Sequence, residues 1–222
     1  MKVLLWTIPL FMACGGTTSQ QVVKDHGGHV RALVTRVNGK KDGAVRFFAA
    51  DGIVQTTGIY AGYSRHGTWT SFDPHGDTLA IVNYDRGRKD GLQAYWAPNG
   101  QLLRLERFTR GEPNGPLYRF FSDGTPRQIT WYEHSIPTGT YMEWYKSDST
   151  ETGITMGRFM DGKRSGTWTW LYGNRRVKTQ GAYSNGTVSY THLRAHETVL
   201  DLVCRLLLEK KKNTTENSTY LP

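Results

Sequence analysis

Three groups of side chains have the types and spacing to do chemistry. In the run DHGGH, Asp25, His26 and His29 offer a carboxylate and two imidazoles, the donors that hold zinc. The Gly27-Gly28 spacer gives them no rigid geometry, so no metal site is expected. In DPHGD, Asp73 and Asp77 flank His75, a grouping suited to proton transfer. Its proline and glycine are turn residues, and it is expected to be a hairpin turn. Asp123 and Glu143 are carboxylates of the type that cleave glycosides, but their positions show no acid-base pairing. There is no nucleophile elbow and no phosphate loop. The expectation is a non-enzymatic protein with no cofactor.

Aromatic side chains form a denser constellation: Trp69, Tyr95, Trp96, Phe120, Phe121, Trp131, Trp144, Tyr145, Trp168, Trp170 and Tyr172. Cross-strand ladders of such residues stabilise a sheet. Neighbours along a strand point to opposite faces, so one set can also form a binding platform for a protein or glycan. Trp69, Tyr95, Trp96, Phe121, Trp144, Tyr145, Trp168 and Trp170 are the candidate binding-face residues.

What must position them is a repeat. Glycine pairs four residues apart recur from Gly39, with second members Gly43, Gly67, Gly91, Gly115, Gly139 and Gly166, at steps of 24, 24, 24, 24 and 27. A fixed period in this range marks one supersecondary unit repeated along the chain. The units YDRGRKDGLQAYWAPNGQLLRLER and FTRGEPNGPLYRFFSDGTPRQITW each read as an aromatic, a polar turn with two glycines, a short strand, an NG or DG turn and a second strand. Asp51-Gly52, Asn99-Gly100 and Asp123-Gly124 are expected to be tight turns with positive φ at both residues, and Gly76 holds the same place. First strands are expected over residues 44–48, 68–72, 92–96, 116–121, 140–145 and 167–172. The fold class predicted is all-β, a single-sheet antiparallel meander of hairpins. The 27-residue step is a longer turn over 147–152, and Ser135 replaces a first glycine.

With these residues the chain resembles the MORN-variant repeat family, including the YwqK-like antitoxin group, over Val37 to Thr187. The shared pattern is aromatic-x-x-G-x-x-x-G, a short strand, then aromatic-x-x-N/D-G. The resemblance implies a scaffold linked to membranes or, as the alternative, an immunity-type protein that neutralises a toxin by binding it. It brings no catalytic residues.

The first 13 residues carry Lys2 and an apolar run from Val3 to Met12, too short to span a bilayer and right for an export signal. With Ala13 before Cys14 it looks like a bacterial lipoprotein leader, although Phe11 and Met12 depart from the usual box. The resemblance implies lipidation of Cys14 and an envelope location, the outer membrane or the periplasmic face, with a periplasmic or secreted protein as the alternative. Residues 14–29 are expected to be a flexible tether and 30–187 the repeats. The net charge is +9, with basic residues scattered among turns rather than gathered in a stripe, and no nucleic-acid partner is expected. The partners expected are a membrane, through the anchor, and a protein or envelope polymer.

From Val188 the glycine pairs stop, and residues 188–212 resemble the translation of a transposase-type sequencing adapter. Residues 188–222 are therefore expected to be an artefactual tail with an accidental helical pattern. Gly186 opens a unit whose second glycine would fall at position 190, where Tyr190 stands. The array is expected to be interrupted there.

Overall fold

The computed structural model describes residues 7–9, 16–146 and 153–189. Cys14, the 147–152 turn and, of the expected 188–222 tail, residues 190 onward lie outside the described residues; Val188 and Ser189, expected to begin a helical pattern, instead belong to the last strand, where they pair with Tyr183 and Ala182. The described chain is all-β. Its strands are β1 (Thr7–Pro9), β2 (Thr18–Lys24), β3 (Val30–Val37), β4 (Lys40–Phe48), β5 (Val54–Ala61), β6 (Ser64–Phe72), β7 (Thr78–Asp85) and β8 (Arg88–Trp96). They continue as β9 (Leu102–Thr109), β10 (Glu112–Phe120), β11 (Pro126–Glu133), β12 (Ile136–Tyr145), β13 (Gly153–Met160), β14 (Lys163–Tyr172), β15 (Val177–Ser184) and β16 (Thr187–Ser189). Strand order in the sheet is sequence order throughout, the expected antiparallel meander. Contacts divide the chain into two compact units, residues up to Thr140 and residues from Tyr141.

Two kinds of turn alternate, and each has its own edge of the sheet because successive connections of a meander fall on opposite edges. From β3 onward, odd strands pass to even ones through two-residue turns with both residues at positive φ. Examples are Asn38-Gly39 (51° and 78°), Arg86-Gly87 (46° and 82°) and, in the second unit, Asp161-Gly162 (48° and 76°). These are type I′ turns, whose twist matches that of the strands. Among the described connections, even strands pass to odd ones through three-residue loops. The Gly52 amide donates to Ala49 O, the Ala49 amide to Ile53 O, and Gly52 (φ 86°) is left-handed.

This corrects the expectation for the NG and DG pairs at 51–52, 99–100 and 123–124. Only their glycines have positive φ, because these are type I turns closed by a left-handed glycine bulge. The preceding Asx carries the turn in another way. Asp51, Asn99, Asp123 and Asn174 each accept, through Oδ1, the amide two residues on, and Asp73, at the first position of its loop, does the same for His75.

The second glycine of each pair also differs from expectation. It lies inside the strand, at positive φ, beside a register shift: Gly43 (102°) stands near the shift between Val34 and Arg36. A Cβ on Gly43 would come within 3.0 Å of Thr35. The 24-residue beat therefore joins a turn residue and a bulge residue, and the strands start immediately after the type I′ turn, as β4 does at Lys40.

Residues 18–24, expected to be part of a flexible tether, instead form β2, paired with β3 from Thr18↔Val37 to Lys24↔Val30. The β-branched Thr18, Val22 and Val23 favour a strand, and DHGGH is its hairpin turn. The Gly28 amide donates to Asp25 O, and Asp25 Oδ1 accepts the amides of Gly27 and His29. Turn positions 25, 49, 73, 97 and 121 keep the 24-residue interval, so the array starts one hairpin earlier than its glycine pairs.

Burial follows one row of one face. In the first unit Val45, Trp69, Gln93 and Leu117 occupy equivalent places on successive even strands, and all are buried. Ala32, Val34, Val45 and Trp69 form the apolar cluster there, flanked by Val23, Phe47, Tyr60 and Tyr84. In the second unit Trp168 holds the same place, fully buried, with Leu171 and Met156 also buried.

Candidate functional site

Trp69 and Trp168 were candidates for an exposed binding face, and the structure corrects this: they are 4% and 0% exposed. Each indole lies over a glycine of the preceding strand, Gly58 or Gly157, where any side chain would collide with the ring. Each Nε1 donates to a carbonyl beside the bulge, Ile59 O and Arg158 O, both at 3.1 Å. An arginine covers each ring: Arg65 lies 4.5 Å from the Trp69 centroid and Arg164 4.5 Å from that of Trp168. Both arginines also reach a tyrosine hydroxyl, Tyr84 at 3.0 Å and Tyr183 at 3.4 Å. The period puts the same module in both units. It is packing chemistry, with cation-π contacts sealing the rings.

Between the aromatic stretches of the first unit the buried row turns polar. Gln93 is fully buried, its Oε1 accepting the Asn83 amide at 3.0 Å and its Nε2 donating to Asn83 O at 3.2 Å. The carboxamide thus stands in for a missing strand partner at a bulge. Beside it, Glu106 pairs across the strands with Gln93 and binds Arg104, whose guanidinium stacks 4.4 Å from the Tyr95 centroid. Tyr95 is thereby occupied as a platform for arginine.

Trp96 is the candidate with open space beside it. It lines a shallow cleft of about 420 Å³ with Asp77, Thr78, Pro98, Asn99 and Gly100. One repeat earlier a smaller cleft of about 50 Å³ lies at the corresponding place, lined by Ala49, Asp51, Ile53, Gln55, Phe72, Asp73 and Pro74. Phe72 and Trp96 hold equivalent positions, as do Pro74 and Pro98, and both clefts lie along the edge of the three-residue loops. Sequence reading missed Phe72, Pro74 and Pro98, although the 24-residue alignment of Pro74 with Pro98 was there to find them.

The other candidates are dispersed. Phe121 opens the loop after β10 and meets Arg127, 5.8 Å from its ring centroid. In the second unit Trp170 packs 6.4 Å from Trp168 and Tyr183, with Arg164 5.7 Å away. Trp144 is half-buried, and Tyr145 is exposed but covers Gly153. The candidates therefore do not form one platform.

Asp73 is buried and accepts the amides of His75 and Asp77, so the DPHGD run is a turn, as expected. At Asp25 desolvation pushes the carboxyl pKa up, but the His29 and Gly27 amides and the His29 imidazole more than reverse this, holding it below the ordinary 3.8.

The basic residues are less scattered than the sequence suggested. Type I′ turns all fall on one edge, so in the first unit Lys40, Lys41, Arg65, Arg86, Arg88, Lys89 and Arg110 line that edge, interspersed with Asp42, Asp85, Asp90 and Glu112. The chain also enters the sheet there: the Thr17 amide donates to Asn38 Oδ1 at 3.1 Å, and the Asn38 amide to Thr17 O at 2.9 Å.

No family model matches the chain, and no curated protein sequence matches it. Among solved structures it is similar to the crystal structure of a GtfA/B complex bound to UDP and GlcNAc, at 15% identity and a TM-score of 0.25. That match covers 56% of this chain and 26% of the other. Overlap this slight carries nothing about function.

Proposed function

We propose that the chain is a non-enzymatic, lipid-anchored scaffold of the bacterial envelope whose hairpin repeats bind a protein or an envelope polymer. The observation that supports this is the separation of the two sheet edges. Cys14 precedes Thr17 by three residues, a span of at most about 10 Å, and Thr17 is bonded to Asn38 on the type I′ edge. Acyl chains on Cys14 would hold that edge to the bilayer and leave the opposite edge, with its clefts at Phe72 and Trp96, facing away. Cleavage before Cys14 would remove β1 and leave β2 as the first strand.

The test is a Cys14→Ala variant expressed in a bacterial host that lipidates exported proteins. Loss of incorporated labelled fatty acid and release from the membrane fraction are expected. Retention of both would defeat the anchor.

A further inference from the structure

We infer that the two clefts on the three-residue-loop edge are successive subsites for an uncharged, extended polysaccharide of β-1,4-linked pyranosides. This deepens the scaffold reading and rests on it only for the choice of polymer over protein.

Each cleft presents a single aromatic ring, Phe72 or Trp96, beside one proline, Pro74 or Pro98. An aromatic ring with a proline next to it offers apolar surface of the kind on which the axial C–H bonds of a pyranose pack. Around it stand acceptors and donors of the kind that bind sugar hydroxyls: Asp77 and Thr78 in one cleft, Gln55 and the second carboxylate oxygen of Asp51 in the other.

Charge narrows the occupant. The lining of both clefts contains carboxylates and no lysine or arginine, so it repels a polyanion such as a uronate or a phosphate-linked polymer. An organic cation fits poorly as well. Recognition of a quaternary ammonium uses a cage of several rings, whereas each cleft has one ring. A neutral ring with many hydroxyls remains.

Spacing argues for a polymer. Phe72 ends β6 and Trp96 ends β8, so the two platforms are two strands apart, about 9.6 Å at the usual ~4.8 Å between neighbouring strands. In a β-1,4-linked chain alternate sugars present the same face, and the disaccharide repeat is close to that length. One glycan strand laid along the edge would put every second ring on a platform.

The test uses the full-length protein in detergent micelles, titrated by calorimetry with cellohexaose, chitohexaose and glucose, and with polygalacturonate and a lysine-rich peptide as charged controls. One or both hexasaccharides are expected to bind, glucose and the charged probes not at comparable concentration. Trp96→Ala should weaken hexasaccharide binding by at least about tenfold, and Asp77→Ala, at an exposed turn residue, by a smaller factor. Tyr172→Ala, outside both clefts, should leave it unchanged. If Trp96→Ala fails to fold by circular dichroism, Asp77→Ala and Trp96→Phe carry the test.

No binding of either hexasaccharide at millimolar concentration would overturn the inference. So would binding that Trp96→Ala and Asp77→Ala leave intact, or preference for either charged probe. These outcomes are independent of the Cys14→Ala experiment. Loss of fatty-acid label together with no sugar binding would leave the anchored scaffold with another partner, and the reverse would remove the anchor alone.

Discussion

The Trp69 indole occupies the space that a side chain on Gly58 would need, and Trp168 stands in the same relation to Gly157. Each pair locks one repeat onto the next, since the large ring on an even strand fills the gap left by glycine on the odd one. Gly58→Ala and Gly157→Ala should each destabilise by about 1–3 kcal/mol, the usual cost of overpacking. Urea unfolding of each variant measures this. A midpoint unchanged from the parent would show that the ring can move aside.

Arg175 is the exception among the loop residues. It sits at φ 64° in the place where other three-residue loops carry Gly28, Gly52, Gly76, Gly100 and Gly124. A non-glycine residue in the left-handed region costs roughly 1–2 kcal/mol. Arg175→Gly should recover part of this, raising the denaturation midpoint without changing the slope. Gly115→Ala, at φ 120° and beside Arg107, should move the midpoint the other way.

Gln93 gives a separable measurement. Gln93→Met keeps the length of the side chain but strips the Asn83 amide and carbonyl of their partner. A buried polar group left unpaired costs about 1–3 kcal/mol, and amide hydrogen exchange at Asn83 should accelerate more than at Ile81 on the same strand. Equal acceleration at both would mean that the whole strand had loosened.

The turn at Asp25 should respond to acid. Its carboxyl pKa is lowered in the folded protein, so the stabilisation is fully present above the ordinary value of 3.8 and is lost as pH falls through the lower folded value. Exchange at the Gly27 and His29 amides, which the carboxylate accepts, should rise as pH falls through that window, relative to turn amides held by an uncharged side chain such as Gln101 on Asn99. Asp25→Asn should remove the acid dependence while keeping an acceptor.

The alternation of Trp and Tyr with polar residues, together with the glycine interval, was enough to predict the meander. What the interval concealed was that its two glycines do different work, because a turn glycine and a bulge glycine both need positive φ and look alike as letters. DHGGH looked like tether for the same reason: its glycines were read as flexibility, whereas Asp25 makes them a turn. At the candidate site, strand alternation could assign faces but not depth. Trp168 and Trp170 lie on the same face of β14, yet one is fully buried and the other half-buried. The difference comes from Gly157 on the neighbouring strand, a long-range partner that no local pattern reports. The cleft beside Trp96 escaped for a related reason, since it is defined by loop residues of two successive hairpins.

Along one edge of the first unit, successive type I′ turns give an amide to a carbonyl of the preceding hairpin: Tyr63 to Lys41, Gly87 to Arg65, Gly111 to Lys89 and Ser135 to Pro113. That edge behaves as a stitched hem, where one extra residue would put every later stitch out of step. The loops of the other edge each close on their own backbone, as Ala97 does with Gln101, with a single side-chain bond, Asn99 to Ser122, between two of them in the first unit. Variation in such an array therefore has a permitted direction. New loop lengths and new side chains can accumulate on the free margin, and with them new ligands, while the hem keeps the count.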